Sequence, residues 1–228
     1  MHSFYLLFVL SLLNPSIRAA YITLPLYIDP SPTAWAPLYK AIASNPQLLF
    51  QLIINPNTVH VSYYNRNITQ VESDIRTYAG WSTYPDANIN LDGIFFDEAP
   101  ESYTTFDFSY LSNATSYARR AFSGGHLSLN PRVLCDSRYF DLVDTVNVFE
   151  SPYSSFQDPT TLDSIPVLQR NNSTIMIYSF EGSKNQQARL VTAIAGSGIG
   201  GIYITTSGGY TSFSKYWTQF VTEVALTA

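Results

Sequence analysis

The sequence predicts an α/β fold, a (β/α)8 TIM-like barrel, on three observations. Short apolar runs rich in β-branched and aromatic residues recur along the whole chain beyond residue 20. Most of these runs are continuous rather than alternating, as expected of strands covered on both faces. Helical patterns separate most of them, and alternating strand and helix units imply a parallel sheet. The strand candidates are 24–28, 49–54, 59–63, 93–96, 126–129, 146–149, 174–178 and 201–205, eight in all. The helical stretches are 35–43, 69–78, 108–122, 186–195 and 213–226. Eight units in about 200 residues suit a barrel at the short end of its size range. An open doubly wound sheet fits less well, because no Gly-rich phosphate loop follows the first strand.

Taken in order, most strand candidates end on a polar or charged residue. Asp29 follows the first and Asn55 the second; Asp97 and Glu98 follow the fourth, Asn130 the fifth, Glu150 the sixth and Glu181 the seventh. In a closed parallel barrel the carboxyl ends of all strands open onto one face, so these groups are expected to converge on one pocket. One join resists this plan. Only Asn55, Pro56, Asn57 and Thr58 separate the second and third candidates. A parallel neighbour requires a crossover of about a dozen residues or more, so either 55–58 makes a hairpin-like turn, or the third candidate is not a barrel strand, or a helix between the two is absent.

Composition narrows the function classes. With 46% hydrophobic and 13% charged residues, the 228-residue chain reads as globular, neither disordered nor a coiled coil. Twelve Lys and Arg against seventeen Asp and Glu give a net charge of −5, and only Lys40, Lys184 and Lys215 are lysines. No basic patch is expected to meet a phosphate backbone, which excludes nucleic acid as a partner. Cys135 is the single cysteine, and beyond the leader the histidines are His60 and His126, so neither a disulfide nor a transition-metal site is expected.

The run 4–13 is too short to span a bilayer and suits the core of a secretory signal, with Ala19 and Ala20 supplying small residues after it. Residues 1–20 are therefore read as a signal peptide and 21–228 as a single barrel domain. Glycosylation acceptor triplets begin at Asn67, Asn113, Asn171 and Asn172, each in a stretch that reads as loop or helix end. A secreted protein, extracellular or in the cell wall and without a membrane anchor, is the expectation.

The strongest chemical signal is Leu91-Asp92-Gly93-Ile94-Phe95-Phe96-Asp97-Glu98-Ala99-Pro100. Two adjacent carboxylates after an apolar strand can be driven to different protonation states, as acid and base work requires. The competing reading is a helix start, with Asp97 or Glu98 as cap and Pro100 in the first turn. Glu150, in Val148-Phe149-Glu150-Ser151-Pro152, repeats the pattern and supplies the further carboxylate that glycoside hydrolysis needs; its competing reading is a rim glutamate. Asp92 reads as a turn residue before its strand, and Glu181 as a loop residue. Cys135, before Asp136, reads as buried or cap-adjacent rather than reactive, and His60 and His126 as satisfied strand residues. Tyr27, Tyr63, Tyr64, Tyr103 and Tyr153 fall at or past strand ends, where each offers a flat face to a sugar or packs between strand and helix. A carboxylate-lined mouth on an acidic protein favours a cationic ligand.

These residues carry a resemblance to the spherulin-4-like proteins, typified by fungal secreted glycoside hydrolases of family 135. The motifs are Pro25-Leu26-Tyr27-Ile28-Asp29-Pro30-Ser31-Pro32, Ile53-Ile54-Asn55-Pro56-Asn57, Tyr78-Ala79-Gly80-Trp81, Tyr84-Pro85-Asp86-Ala87-Asn88, Asp92 through Glu98, Leu129-Asn130-Pro131 and Val148-Phe149-Glu150. The resemblance implies a (β/α)8 enzyme cutting α-1,4-linked galactosamine polymers, with Asp97, Glu98 and Glu150 as its functional carboxylates. Tyr27, Asp29, Asn55, Tyr63 and Asn130 are the expected substrate contacts. A monomer acting on a cationic amino-sugar polymer is implied, and no cofactor. The resemblance also implies a loop and helix after Asn57 that this chain lacks, at the join the strand spacing exposes. Accordingly the alternative is a non-catalytic carbohydrate-binding protein on the same barrel.

Overall fold

The computed structural model describes residues 20–29, 31–54, 66–85 and 90–227. The fold class is an α/β TIM-like barrel. Its strands are β1 (Tyr21–Pro25), β2 (Phe50–Ile53), β3 (Gly93–Asp97), β4 (His126–Asn130), β5 (Thr145–Pro152), β6 (Ser173–Tyr178) and β7 (Gly201–Ile204). The helices are α1 (Ala36–Ser44), α2 (Ile68–Ala79), α3 (Thr105–Ala121), α4 (Thr160–Asp163), α5 (Val167–Arg170), α6 (Lys184–Gly196) and α7 (Trp217–Ala225). Among the described residues the strand order is β2-β1-β7-β6-β5-β4-β3. Strands adjacent in the sheet are thus adjacent in the chain, with β1 beside β7, and the order breaks only between β2 and β3. The third strand candidate, 59–63, falls in that interval and lies outside the described residues.

By packing, the described residues divide into two compact units, one within Ile53–Val148 and the other comprising those from 20 to 52 together with those from Phe149 onward. In the first unit β3 and β4 pair in parallel from Gly93↔His126 to Asp97↔Asn130, and β4 meets β5 at Ser128↔Thr145 and Leu129↔Val146. Gly93 permits this register: a Cβ there would overlap the carbonyl oxygen of His126. Asn67 caps α2 by accepting from the Thr69 amide, and Val71, Ile75 and Tyr78 form its buried stripe. Thr104 caps α3 by accepting from the Asp107 amide at 3.0 Å, and α3 packs against α2.

In the second unit β1 pairs with β7 and β7 with β6, all parallel. Every residue of β1 and β7 is buried, and apart from Thr23 both strands carry no polar side chain within the sheet core beyond the Tyr hydroxyls. Inside this packing the Thr23 hydroxyl donates to Gln51 Oε1 at 3.0 Å, so the polar members of β1 and β2 satisfy each other. Ser183 and Gln186 form a complete capping box at the start of α6. Trp217, Phe220, Val221 and Val224 are the buried face of α7.

Three sequence expectations need correction. The first strand occupies Tyr21–Pro25 instead of 24–28, because Pro25 has no amide hydrogen with which to continue the ladder. The short helices α4 and α5, four residues each, carry no periodic signal and were not expected. Asn113 lies inside α3 rather than in a loop or helix end, with the Thr115 hydroxyl of its triplet buried and donating to the Leu111 carbonyl at 2.8 Å.

A single methyl tests the β3–β4 contact. Gly93→Ala is expected to cost on the order of 3 kcal/mol in urea unfolding, because backbone rather than a flexible side chain must give way. Gly80→Ala, which meets nothing within 4 Å, should stay within about 0.5 kcal/mol of the parent.

Candidate functional site

In a TIM-like barrel the chemistry belongs at the carboxyl ends of the strands. The first unit places a connected polar group there. Asp97, the last residue of β3, accepts at Oδ1 from the Glu98 amide at 2.9 Å and from Asn130 Nδ2 at 2.8 Å. Asn130, its register partner at the end of β4, accepts at Oδ1 from Asn147 Nδ2 at 2.8 Å and from the Arg132 amide at 3.1 Å. The Asn130 carbonyl also accepts from the Ala99 amide at 3.0 Å. Asn130 is 3% exposed and Asn147 1% exposed, while Asp97 and Glu98 are half-buried. A buried amide with both ends engaged cannot turn without leaving polar atoms unpaired, so this relay fixes the orientation of the Asp97 carboxylate.

The backbone departs from regular conformation at the same ends. Glu98 (φ 53°), Arg132 (φ 66°) and Ser179 (φ 50°) are left-handed non-glycine residues, each one or two positions beyond β3, β4 or β6. Such conformations cost about 1–2 kcal/mol each and concentrate where a site demands a particular side-chain direction. At Glu98 the turn aims one carboxylate away from the line of the strand directly after Asp97. The helix-cap reading of this pair does not hold: α3 begins at Thr105 and is capped by Thr104.

The second unit carries Glu150, half-buried in the outer half of β5. Its Oε1 accepts from the Tyr210 hydroxyl at 2.8 Å. Tyr210 meets the Tyr27 ring edge-on at 5.6 Å, and its carbonyl accepts from the Tyr27 amide at 3.0 Å. Burial first, and then the neighbouring Glu150 charge, push the Tyr210 phenol far above its ordinary range, so it remains a donor. Tyr27 is half-buried and Asp29 exposed just past β1. Glu181 is exposed in the loop before the α6 cap, as the sequence indicates.

Asn55 and Tyr63, with His60 and Tyr64, lie outside the described residues. Tyr103 is engaged rather than open: the Arg138 guanidinium sits 3.3 Å from its ring centroid while pairing with both oxygens of Asp136 at 2.8 Å. Those hydrogen bonds hold the Asp136 carboxyl down to about 2. Tyr153 packs on Phe180 with centroids 4.6 Å apart. His126 opens β4 at its amino end, with Nε2 3.1 Å from Thr145 Oγ1, and reads as a strand residue with a partner. Burial pushes the Cys135 thiol up to about 12. Among the described residues no His, Cys, Asp and Glu cluster could hold a metal ion, and no helix is long and apolar enough to cross a membrane.

Two members of this constellation escaped the sequence reading. Asn147 is a lone amide inside the apolar run Val146-Asn147-Val148, and an unexplained polar residue in a buried strand is the signal that would have found it. Tyr210 lies six residues past β7 in a Ser- and Gly-rich loop, with little to mark it beyond being an aromatic in a flexible composition.

The model of the spherulation-specific family 4 matches residues 21–58 and 59–224, two stretches that meet at Thr58 and Val59 beside the short join noted above. Spherulin-4 of Physarum polycephalum is 27% identical over 165 residues, covering 60% of this chain and 46% of that protein. The chain therefore spans about half the length of that relative. The crystal structure of Aspergillus clavatus Sph3 in complex with GalNAc superposes with a TM-score of 0.81 at 29% identity, covering 91% of this chain and 98% of Sph3. The GH18 chitinase ChiB of Flavobacterium johnsoniae, at 10% identity and TM-score 0.50 over 91% of this chain and 94% of that one, is a likeness of fold alone.

Removing the centre of the relay should be felt as lost stability. Asn130→Ala is expected to cost on the order of 2 kcal/mol and to lower the melting temperature by about 4–8 °C, since the Asn147 amide then loses an acceptor in a buried place. The Cys135 thiol, raised to about 12, is scarce in thiolate at neutral pH. At pH 8 its reaction with an aromatic disulfide reagent should be on the order of 10³-fold slower than in the urea-unfolded chain, and should quicken as pH rises.

Proposed function

Because this chain belongs to the spherulation-specific family 4, we propose that it is a secreted glycoside hydrolase cleaving an α-1,4-linked galactosamine polymer through Asp97, Glu98 and Glu150. The observation that carries the reading is the likeness, over 91% of the chain, to an Aspergillus protein crystallised with GalNAc. In this reading one carboxyl group protonates the leaving glycosidic oxygen while another attacks the anomeric carbon or activates water. Asp97 suits a role needing a fixed direction, since Asn130 and the Glu98 amide both hold its Oδ1. Glu150 is held from the side by Tyr210.

Tyr27, Asp29, Asn55 and Tyr63 are proposed to contact the sugar chain. Asn130 is proposed to serve through Asp97, because its amide is already committed on both sides. A net charge of −5 favours a polymer carrying free amino groups over an anionic one. Secretion rests on the apolar run 4–13 and the acceptor triplets, with Asn67 and Asn171 exposed at helix ends. The protein is proposed to act as a monomer.

A second reading has one observation in its favour. The family match breaks between Thr58 and Val59, where the strand spacing lacks a crossover, and a barrel altered there can retain sugar binding while losing turnover. One assay separates the readings: release of reducing ends from a partly deacetylated galactosamine polymer, beside a pull-down on the insoluble polymer. The hydrolase reading expects oligosaccharide release, with Asp97→Asn, Glu98→Gln and Glu150→Gln each lowering turnover by about 10²-fold or more at unchanged melting temperature. Binding without release supports the carbohydrate-binding protein. Full activity in all three variants overturns the carboxylate assignment.

A further inference from the structure

Glu150 is gripped by a residue from another loop, and that loop is built to stay in place. The segment joining β7 to α7 is tied at its base by the Ser214 hydroxyl, which accepts from the Thr206 and Tyr216 amides, both at 3.2 Å. The Thr206 hydroxyl accepts from the Lys215 amide at 3.0 Å. On one flank the Ser207 carbonyl accepts from the Ser179 amide at 2.8 Å; on the other, the Tyr210 carbonyl accepts from the Tyr27 amide at 3.0 Å. The Tyr210 ring is wedged between the edge of Tyr27 and the buried ring of Tyr203, whose centroid is 6.0 Å away. The phenol is thus braced by a backbone hydrogen bond at its own residue and by ring contacts with Tyr27 and Tyr203.

We infer that Tyr210 is a positioning residue for Glu150: its hydroxyl, 2.8 Å from Oε1, holds the carboxylate in its working direction, and Tyr27 serves by bracing Tyr210 as well as by any contact with sugar. A hydrogen bond to a carboxylate is among the stronger kinds, and a locked donor orients its partner without reorganising during the reaction. The phenol keeps its proton because burial and the adjacent negative charge both oppose its ionisation. The inference rests on the reading of Glu150 as a working carboxylate.

The test is kinetic, on the full chain with the galactosamine polymer. Tyr210→Phe removes one oxygen and is expected to lower kcat by roughly 10- to 100-fold, the worth of a hydrogen bond to a charged group, with KM within about twofold. Tyr216→Phe removes a phenol from the same segment away from Glu150 and should leave kcat unchanged. On a Glu150→Asp background, whose shortened side chain withdraws from the phenol, adding Tyr210→Phe should cost less than about twofold. A purely structural role would cost the same factor on both backgrounds. Replacing Tyr210 with para-aminophenylalanine, a donor of the same size, should keep kcat within about threefold of the parent, and it carries the test should Tyr210→Phe fold poorly. Wild-type kcat in Tyr210→Phe while Glu150→Gln is inactive overturns the inference and leaves the hydrolase reading standing. So does an equal loss with para-aminophenylalanine. Full turnover in Glu150→Gln overturns the role of Glu150 and, with it, this inference, while the hydrolase reading is then left to Asp97 and Glu98.

Discussion

A carboxamide buried at the end of a strand has two donors and an acceptor to satisfy and no water to satisfy them. Asn130 meets that constraint by donating to Asp97, accepting from Asn147 and accepting from the Arg132 amide. One position on each of the neighbouring strands β3, β4 and β5 is thereby locked, Asp97 and Asn130 being the last residues of theirs. The price is that none of the three can be truncated alone without leaving a partner's polar atom unpaired, which makes the arrangement rigid as well as costly to lose. The direction of the Asp97 carboxylate and the backbone path through Glu98 follow from it, because the Ala99 amide is held by the same residue's carbonyl.

The second unit solves the same problem with different groups. Where the first unit uses amides already inside the sheet, Glu150 depends on a phenol delivered by a loop after β7. Loops offer reach but little rigidity, and this one recovers rigidity through Ser and Thr hydroxyls that tie its two ends together and through rings that flank Tyr210. The two carboxylate environments differ physically as a result. Asp97 is held by neutral amides of the strand ends, whereas Glu150 accepts from a phenol whose ring packs against Tyr27 and Tyr203. Distinct surroundings for carboxyl groups are what acid and base roles require.

Much of this was legible in the sequence. The buried strands β3, β6 and β7 announce themselves as largely apolar runs, because helices on one face and the filled barrel interior on the other leave no solvent side to demand alternation. The terminal Asp97 stands out for the same reason, and Asn130 as the polar end of a strand, Leu127-Ser128-Leu129-Asn130, that is buried although it alternates. The first strand was read three residues late, since Leu26, Tyr27 and Ile28 are as apolar as the strand itself and only the missing amide of Pro25 marks its end. The four-residue helices α4 and α5 were invisible, being too short for a period to repeat.

By itself, then, the sequence determined the fold class, the approximate position of most strands and which polar residues end them, because burial patterns are local properties written into residue order. It also exposed the short join after Asn57, since chain length sets what a crossover can span. Only the tertiary structure decided which neutral groups hold those acids. Asn147 lies 50 residues from Asp97, and Tyr210 lies 60 from Glu150. Pairings at such separations are chosen by register and loop packing, where geometry in three dimensions decides which donor comes within about 3 Å of which acceptor.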